Sequence, residues 1–506
     1  MKFLNYFSSF NWTKYLTILF LVFCVIPLVS FGQTEKQRLI ILADMGNEPD
    51  EVQQMVHMMM YSNEFDLEGL IAVSGKYLHS KHRLPERTRL YPDLFQMIID
   101  AYEKDLKNLK KHAKGWPKPD YLRSIIKSGQ PDYGVAGIGQ GKSTGGSQLI
   151  IECLEKKDPR PLYVVVNAGS NTLAQAIVDY EAIHSKKELK TAITKLRVYE
   201  NGAQDNAGAW ICAKYPAIHW VRSNYQTYAF GGPRVSGEIK EYNIGPHTWE
   251  PYDYDYLGQH HWALDHVKID HGWLGNAWPL RIMGPGHIHF LEGGGTIPWL
   301  GLVHNGLSDI DQPHWGGWSG RFTKEKLKNE WSRHKDIQAD EEKYDDFYLY
   351  TEDADSWDDL ESAVNFKNKS TPIWRWRRAM YNDFKCRMDW CVEDFENANH
   401  NPVAAINGNN AEKIHEWKAS PGQMLEFDAS ASTDPDGDRI HFSWWIYDEA
   451  GTYHSAIKLI NANQSKVFMT IPDDAKGAEI HLILEVMDDN KIGALHDYRR
   501  IVLSVD

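Results

Sequence analysis

Apolar residues follow two rhythms along the first half of this chain. Short β-branched and aliphatic runs at 38–43, 67–73, 162–167, 196–199 and 218–222 read as strands, while 51–61, 91–108, 146–155 and 171–180 carry apolar residues at helical spacing. Strands that alternate with helices predict an α/β fold with a mostly parallel sheet and flanking helices, because parallel neighbours need a crossover long enough to hold a helix. In such sheets ligands gather outside the carboxyl ends of the strands, so the residues that follow each strand are where chemistry is expected.

The rhythm then changes. From 231 to 321 the chain is irregular and holds seven Trp and nine His, an aromatic crowding that suits a wall on which sugars stack. The stretch 373–395 reads as one helix, and 397–402 supplies a polar break with a proline. Beyond it, 424–427, 440–447, 466–471, 479–486 and 499–505 alternate in the strand manner with turn signals between them. The pattern predicts an α/β domain over residues 33–399 and an immunoglobulin-like β-sandwich over 400–506, the latter expected to fold by itself.

Residues 1–32 stand apart. Lys2 and Lys14 precede a charge-free apolar stretch at 15–29, and Ser30 and Gly32 place small residues before Gln33, the pattern of a cleavable signal peptide. Export to the periplasm or the exterior follows as an expectation; the stretch is short for a stable membrane span and is interrupted by Pro27. Cys24 would leave with the signal. Of the other cysteines, Cys386 and Cys391 are near enough in sequence to bridge, but helical spacing would point them apart, and Cys153 and Cys212 read as small core residues.

With 506 residues, 42% hydrophobic and 12% aromatic, the chain has ample material for sizeable cores. Its net charge of −14 is local: between His334 and Asp359 eleven Asp or Glu face two Lys, a net of −9, which reads as a solvated loop. Nothing resembles a basic stripe, and a nucleic-acid partner is excluded on that ground.

The sharpest chemical signal is the segment Asp44-Met45-Gly46-Asn47-Glu48-Pro49-Asp50-Glu51, directly between the first strand and the first helix. A helix N-terminus welcomes one or two acids, which accounts for Asp50 and Glu51 but not for Asp44. Carboxylates held together at a strand end repel one another, and a calcium ion with its six to eight oxygen ligands turns that repulsion into binding. Two other motifs are weaker. The run 137–144 contains Gly-Lys-Ser, yet Ala136 stands where a phosphate-binding loop needs glycine, so it reads as a turn into a helix. The acids of 434–438 read as a turn first, and as calcium ligands only where all three converge. Trp444 and Trp445, adjacent on a strand, must face opposite sides.

The acidic loop resembles that of the nucleoside hydrolases, whose Asp-Pro-Gly-x-Asp-Asp loop holds calcium, with two extra residues here before Asp50 and Glu51. The segment 162–174 is similar to that family's strand ending in Gly-Pro-Leu-Thr-Asn-Leu-Ala, and 201–210 to the segment that contacts the sugar hydroxyls. The mature chain as a whole resembles a bacterial family of secreted proteins described as cellulose-binding, which joins a nucleoside-hydrolase-like domain to a C-terminal immunoglobulin-like domain. The match runs through Asn47-Glu48-Pro49-Asp50, Asp158-Pro159-Arg160-Pro161, Asn305-Gly306-Leu307, Trp315-Gly316-Gly317-Trp318 and Trp374-Arg375-Trp376.

The resemblance implies a metal site of Asp44, Asp50, Glu51, the carbonyl of Asn171 and Asn305, the last where the nucleoside hydrolases have Asp, with Asp309 and Asp311 near enough to compensate. It implies sugar contacts from Asn47, Asn167, Asn201, Asp205, Asn206 and Trp315. Asp44 is then the base toward a calcium-bound water and His304 the proton donor to the leaving group. The function expected is that of an exported calcium-dependent hydrolase of glycosidic bonds, acting on a carbohydrate or nucleoside-like substrate; the alternative is a carbohydrate-binding protein without catalysis.

Overall fold

The structure, a computed structural model, describes residues 36–231, 262–280, 282–283, 288–289, 295–327, 347–359 and 364–506. The segment expected to be a signal peptide, part of the Trp- and His-rich region and the first part of the acidic stretch lie outside the described residues.

Eight strands form one sheet: β1 (Gln37–Ala43), β2 (Phe65–Ala72), β3 (Ile126–Ser128), β4 (Leu162–Val166), β5 (Leu196–Asn201), β6 (His219–Ser223), β7 (Phe322–Leu327) and β8 (Phe347–Glu352), in the order β3-β2-β1-β4-β5-β6-β8-β7. The pairs from β3 to β6 are all parallel, β8 joins β6 in parallel, and β7 runs antiparallel to β8. All five residues of β4 are buried, as a strand covered on both faces must be. The covering helices include α1 (Asp50–Met59), α2 (Pro92–His112), α3 (Gly145–Glu155), α4 (Asn171–Ile183), α5 (Lys186–Lys195), α6 (Ala207–Lys214) and α7 (Arg377–Asp389).

The order reverses between β1 and β4. From β1 the chain first builds outward to β2 and β3, then returns to add β4, β5 and β6 on the other side. At such a reversal the crossovers on the two sides diverge and leave a crevice at the carboxyl ends. Asp44 and Asn167, which immediately follow β1 and β4, stand at its mouth.

The acidic stretch departs from the expected solvated loop. Its described part forms β8 and a hairpin of Asp355–Asp359 with Val364–Asn368. Asp355 is fully buried because Arg321 (2.7 Å), Arg375 (2.9 Å) and the Tyr447 hydroxyl (2.5 Å) donate to it. The single helix expected over 373–395 is also divided, into Thr371–Trp374 and α7. The break frees Arg375 to reach Asp355 and lets the Trp376 ring meet Tyr498 edge to face.

The C-terminal residues form a β-sandwich. Its strands are β9 (Ile414–Ala419), β10 (Met424–Asp428), β11 (Ile440–Ile446), β12 (Leu459–Ile460), β13 (Lys466–Thr470), β14 (Glu479–Asp488) and β15 (His496–Val505). One sheet has the order β9-β15-β14-β11 and the other β10-β13-β12, antiparallel apart from β9 with β15. Trp444, Phe427, Leu484 and Ile501 pack between the sheets, while Ile483, Tyr447 and Tyr498 on the outer face belong to the hydrophobic core of the α/β domain. The outer face of the sandwich thus packs against the α/β domain, beyond the polar linker expected at 397–402. Arg500, fully buried, donates to the carbonyls of Leu307 (2.8 Å) and Trp315 (2.9 Å) across the same junction.

The smaller motifs resolve simply. The turn at 137–144 leads into α3, where Thr144 and Ser147 form a reciprocal cap and Lys142 donates to the Ala136 carbonyl. Asp434, Asp436 and Asp438 do converge, their oxygens within 4.8 Å of one another, on a turn that Asp434 closes by accepting from the N–H groups of Asp436 and Asp438. Cys153, Cys212, Cys386 and Cys391 are buried free thiols. Among the described residues no helix is long and apolar enough to cross a membrane.

Candidate active site at the carboxyl edge of the sheet

The segment after β1 turns at once, with the Asn47 N–H donating to the Asp44 carbonyl (3.0 Å). Gly46 makes the turn possible: its φ is +89°, and a Cβ there would sit 2.8 Å from the Tyr91 ring. The loop returns as α1, so Asp44, Asp50 and Glu51 are brought back against one another.

Asp44 is fully buried, with the carboxyl of Glu51 beside it as a side-chain hydrogen-bond partner. Burial, reinforced by the charge of Asp50, pushes it up to about 7. Glu51, buried beside it, stands well above the carboxylate range for the same reasons, burial first and then Asp50 and Asp44. The two carboxyls are hydrogen-bonded to each other, which a proton held between them allows. Glu51 also accepts from the Glu48 N–H (3.3 Å), which ties the loop to the helix.

Amides surround this pair. Asn167 is buried with neither its side-chain oxygen nor its nitrogen partnered among the described residues, and Gln54, one turn after Glu51 on α1, is in the same state. A Cβ on Gly295 would lie 2.6 Å from the Asn167 nitrogen and 2.7 Å from Gln54, so the segment entering at Gly295 closes this side. Asn47 is half-buried with an unpartnered side-chain oxygen.

Asn171 opens α4. Its side-chain Oδ1 has no partner among the described residues. Its amide nitrogen donates to the Asp132 carbonyl (2.7 Å). Asp205 is buried and accepts from the Ser170 hydroxyl (2.6 Å) and the N–H groups of Ala207 (2.9 Å) and Asn171 (3.2 Å); burial raises it to about 6. It thereby pins the loop before α6 to the start of α4. Asn206 accepts from the Val135 N–H (2.9 Å), and Asn201 ends β5, buried. These residues hold the loops that frame the crevice.

Three expected residues are elsewhere. His304 is faced by Glu64, Lys413, Asp497 and Arg499. Glu64 precedes β2, whose Phe65 is in register with Gln37, so His304 stands at the amino edge of the sheet. Seven residues of β1 separate that edge from Asp44, roughly 20 Å. Asn305 passes its carbonyl to the Tyr498 N–H (3.0 Å) and accepts with its side chain from the Leu307 N–H (3.2 Å). Asp311, paired with Arg197 at the start of β5 (2.5 Å), shares that edge, and Asp309 accepts from the Asp311 N–H (2.8 Å). Trp315 is buried against His481 of the sandwich, ring centroids 5.3 Å apart, and offers no surface to a sugar. Neither proton donor nor late metal ligand can therefore come from 304–305. Gln54 and Gly295 are the residues the sequence reading missed; the signal for Gln54 was its place one helical turn after Glu51.

Two family-level descriptions match the chain. Residues 38–322 match "Cellulose-binding Sde182, nucleoside hydrolase-like domain", and residues 424–505 match "Cellulose-binding protein Sde0182, C-terminal domain". The chain belongs to this cellulose-binding Sde182 family. A solved structure described as a nucleoside hydrolase-related hypothetical protein from Saccharophagus degradans, associated with carbohydrate metabolism, is 33% identical. It superimposes with a TM-score of 0.76 over 93% of this chain and 100% of its own. No functionally curated protein matches. Within the family frame, the nucleoside-hydrolase-like domain carries the acidic crevice and the C-terminal domain carries the sandwich that captures 304–316.

Proposed function

We propose that this chain is an exported, calcium-dependent hydrolase of glycosidic bonds, of the N-glycosyl type or a related O-glycoside, working at the carboxyl edge of its α/β sheet. The observation that carries this reading is Asp44: a fully buried carboxylate paired with a second buried carboxyl, Glu51, at the point where the strand order reverses. So costly an arrangement is retained where chemistry needs it.

The donor set fits calcium. The side-chain oxygens of Asn47, Asn167 and Asn171 lack partners among the described residues, and these and the Asp44 carboxylate are all hard oxygen ligands. Asp44, Asp50, Glu51 and Asn171 would hold the ion, which when bound would supply the positive charge that makes a water acidic. Asp44 would accept the proton of an attacking water as the water oxygen bonds to the anomeric carbon and the leaving group departs with the electron pair of its bond, to be protonated from solvent. Asn167, Asn47 and Gln54 orient the sugar hydroxyls, and the buried walls of the crevice exclude competing water.

The alternative is a carbohydrate-binding protein that retains the crevice without turnover. The placement of His304 at the opposite edge favours it, since a leaving group needs a proton donor and that one is out of reach. Incubation with nucleosides and cello-oligosaccharides, with calcium or with chelator, separates the readings by chromatography of the products. Calcium-dependent release that Asp44→Asn abolishes supports the hydrolase. Tight binding with no product from either protein overturns it.

A further inference from the structure

Away from the acidic crevice, a cleft of about 660 Å³ opens between the sandwich and the segment leading into α7. Its floor follows from strand alternation. On β11 the residues His441, Ser443 and Trp445 share one face, and register places Glu485 opposite Ser443, Met487 opposite His441 and His496 opposite Met487. The neighbouring Trp444 turns the other way into the sandwich core. The floor is thus the outer face of the four-stranded sheet, at the end not sealed by Ile483 and Tyr447. The opposite wall is Trp357, Trp374 and Trp376.

Three features distinguish this cleft from a packing defect. Four indoles line it: Trp374 and Trp376 are buried, while Trp357 and Trp445 keep part of their surface open. Their orientation is held from behind, Trp357 stacked on Phe366 (5.9 Å) and Trp445 against Trp376 (5.6 Å) and beneath the Arg375 guanidinium (4.8 Å). Hydrogen-bonding atoms in the lining are also unsatisfied. His496 is nine-tenths buried, its Nδ1 is engaged by Glu485 (2.7 Å), and its Nε2 has no partner among the described residues; the indole N–H groups of Trp374 and Trp376 are likewise unpartnered. At the rim, exposed Asp358 and His441 add polar groups of mixed character instead of a field of one sign.

Flat aromatic faces, buried lone donors and acceptors, and no net charge preference are what a neutral sugar chain needs. Its axial C–H faces pack on indoles and its hydroxyls both donate and accept. We propose that this cleft is a second carbohydrate site that takes a neutral β-linked oligosaccharide, whose ribbon shape presents flat faces to opposed indoles. It shares no residue with the acidic crevice, so the chain would grip a polysaccharide at one place while its crevice works at another.

The test is calorimetric titration of the full-length mature chain with cellopentaose. Wild type should bind, Trp357→Ala should weaken binding roughly tenfold or more, and Asp44→Asn should leave this event unchanged. Paired Asp358→Ala and His441→Ala, on exposed positions, provide a second reading that does not depend on tolerance of the tryptophan loss, and they should weaken binding measurably. The proposal is overturned if wild type gives no heat at millimolar cellopentaose, if both cleft variants bind as wild type does, or if Asp44→Asn alone abolishes binding. The last two of these outcomes would leave the crevice as the sole sugar site.

Discussion

The backbone N–H of Tyr498 donates to the carbonyl of Asn305 at 3.0 Å. Through this bond the last strand of the sandwich takes hold of the α/β domain, and it holds the segment that resemblance assigned to the metal. Gly306 follows with φ +93°, and a Cβ there would stand 2.1 Å from the Tyr498 carbonyl oxygen. Gly306→Ala should therefore cost about 2–4 kcal/mol, from both the left-handed backbone and the clash. A thermal midpoint within a degree or so of wild type would show that the junction yields easily.

Asp44→Asn has opposite consequences with and without calcium. In chelator the neutral amide removes a buried charge and its repulsion by Asp50 and Glu48, and the variant should be more stable than wild type by about 1 kcal/mol. With calcium, wild type should gain stability by mass action and the variant should not. Paired calorimetric scans decide the matter; identical scans in both conditions would remove calcium from the proposal. Where turnover is found, the same substitution should lower it by about a hundredfold or more.

His481 makes the junction acid-sensitive. Its ring faces Arg500 (2.8 Å) and Glu479 (2.9 Å), with the His314 charge nearby, and burial holds it down at about 4 against an ordinary 6.5. The unfolded chain takes up this proton below 6.5 and the folded chain only near 4, so the stabilisation is full above 6.5 and shrinks as pH falls through that window, by at most roughly 3 kcal/mol. His219, also held at about 4 by burial, adds in the same direction. The urea midpoint should drop between pH 7 and pH 5, and drop less in His481→Gln; equal slopes in the two proteins would exclude this residue.

Removal of residues 400–506 should not leave a well-behaved α/β domain. It would uncover Trp315 and Trp376 and strip Leu307 and Trp315 of the Arg500 guanidinium. Arg500→Met in the full chain, which keeps the volume but leaves those buried carbonyls unsatisfied, should cost about 3–5 kcal/mol. A soluble, monomeric fragment of residues 33–399 that melts cooperatively and binds no hydrophobic dye would refute the shared core.

Much of the architecture was legible because local patterns carry it. Runs such as 39–43 and 162–166 are continuously apolar since both faces of a parallel strand are covered, and the acidic loop announced itself by carboxylates at a strand end. The outcome at 347–359 was not legible. Acidic residues in sequence read as solvated, whereas Asp355 is neutralised by Arg321 and Arg375, which come from separate segments. Gln54 was equally silent, because an unpartnered buried amide is recognisable only once its surroundings are known.

By itself the sequence determined the elements, the α/β and β-sandwich classes and the acidic crevice, all of which follow from residue order over short distances: period, caps, turns and like charges in one loop. Tertiary structure alone decided which strand lies beside which, and hence that Asp44 and Asn167 meet while His304 and Asn305 face the other edge. The reason is physical. Once Arg500 and Tyr498 bind the backbone at 305–316, that segment's direction is set by the partner it pairs with, and no pattern within the segment records the pairing.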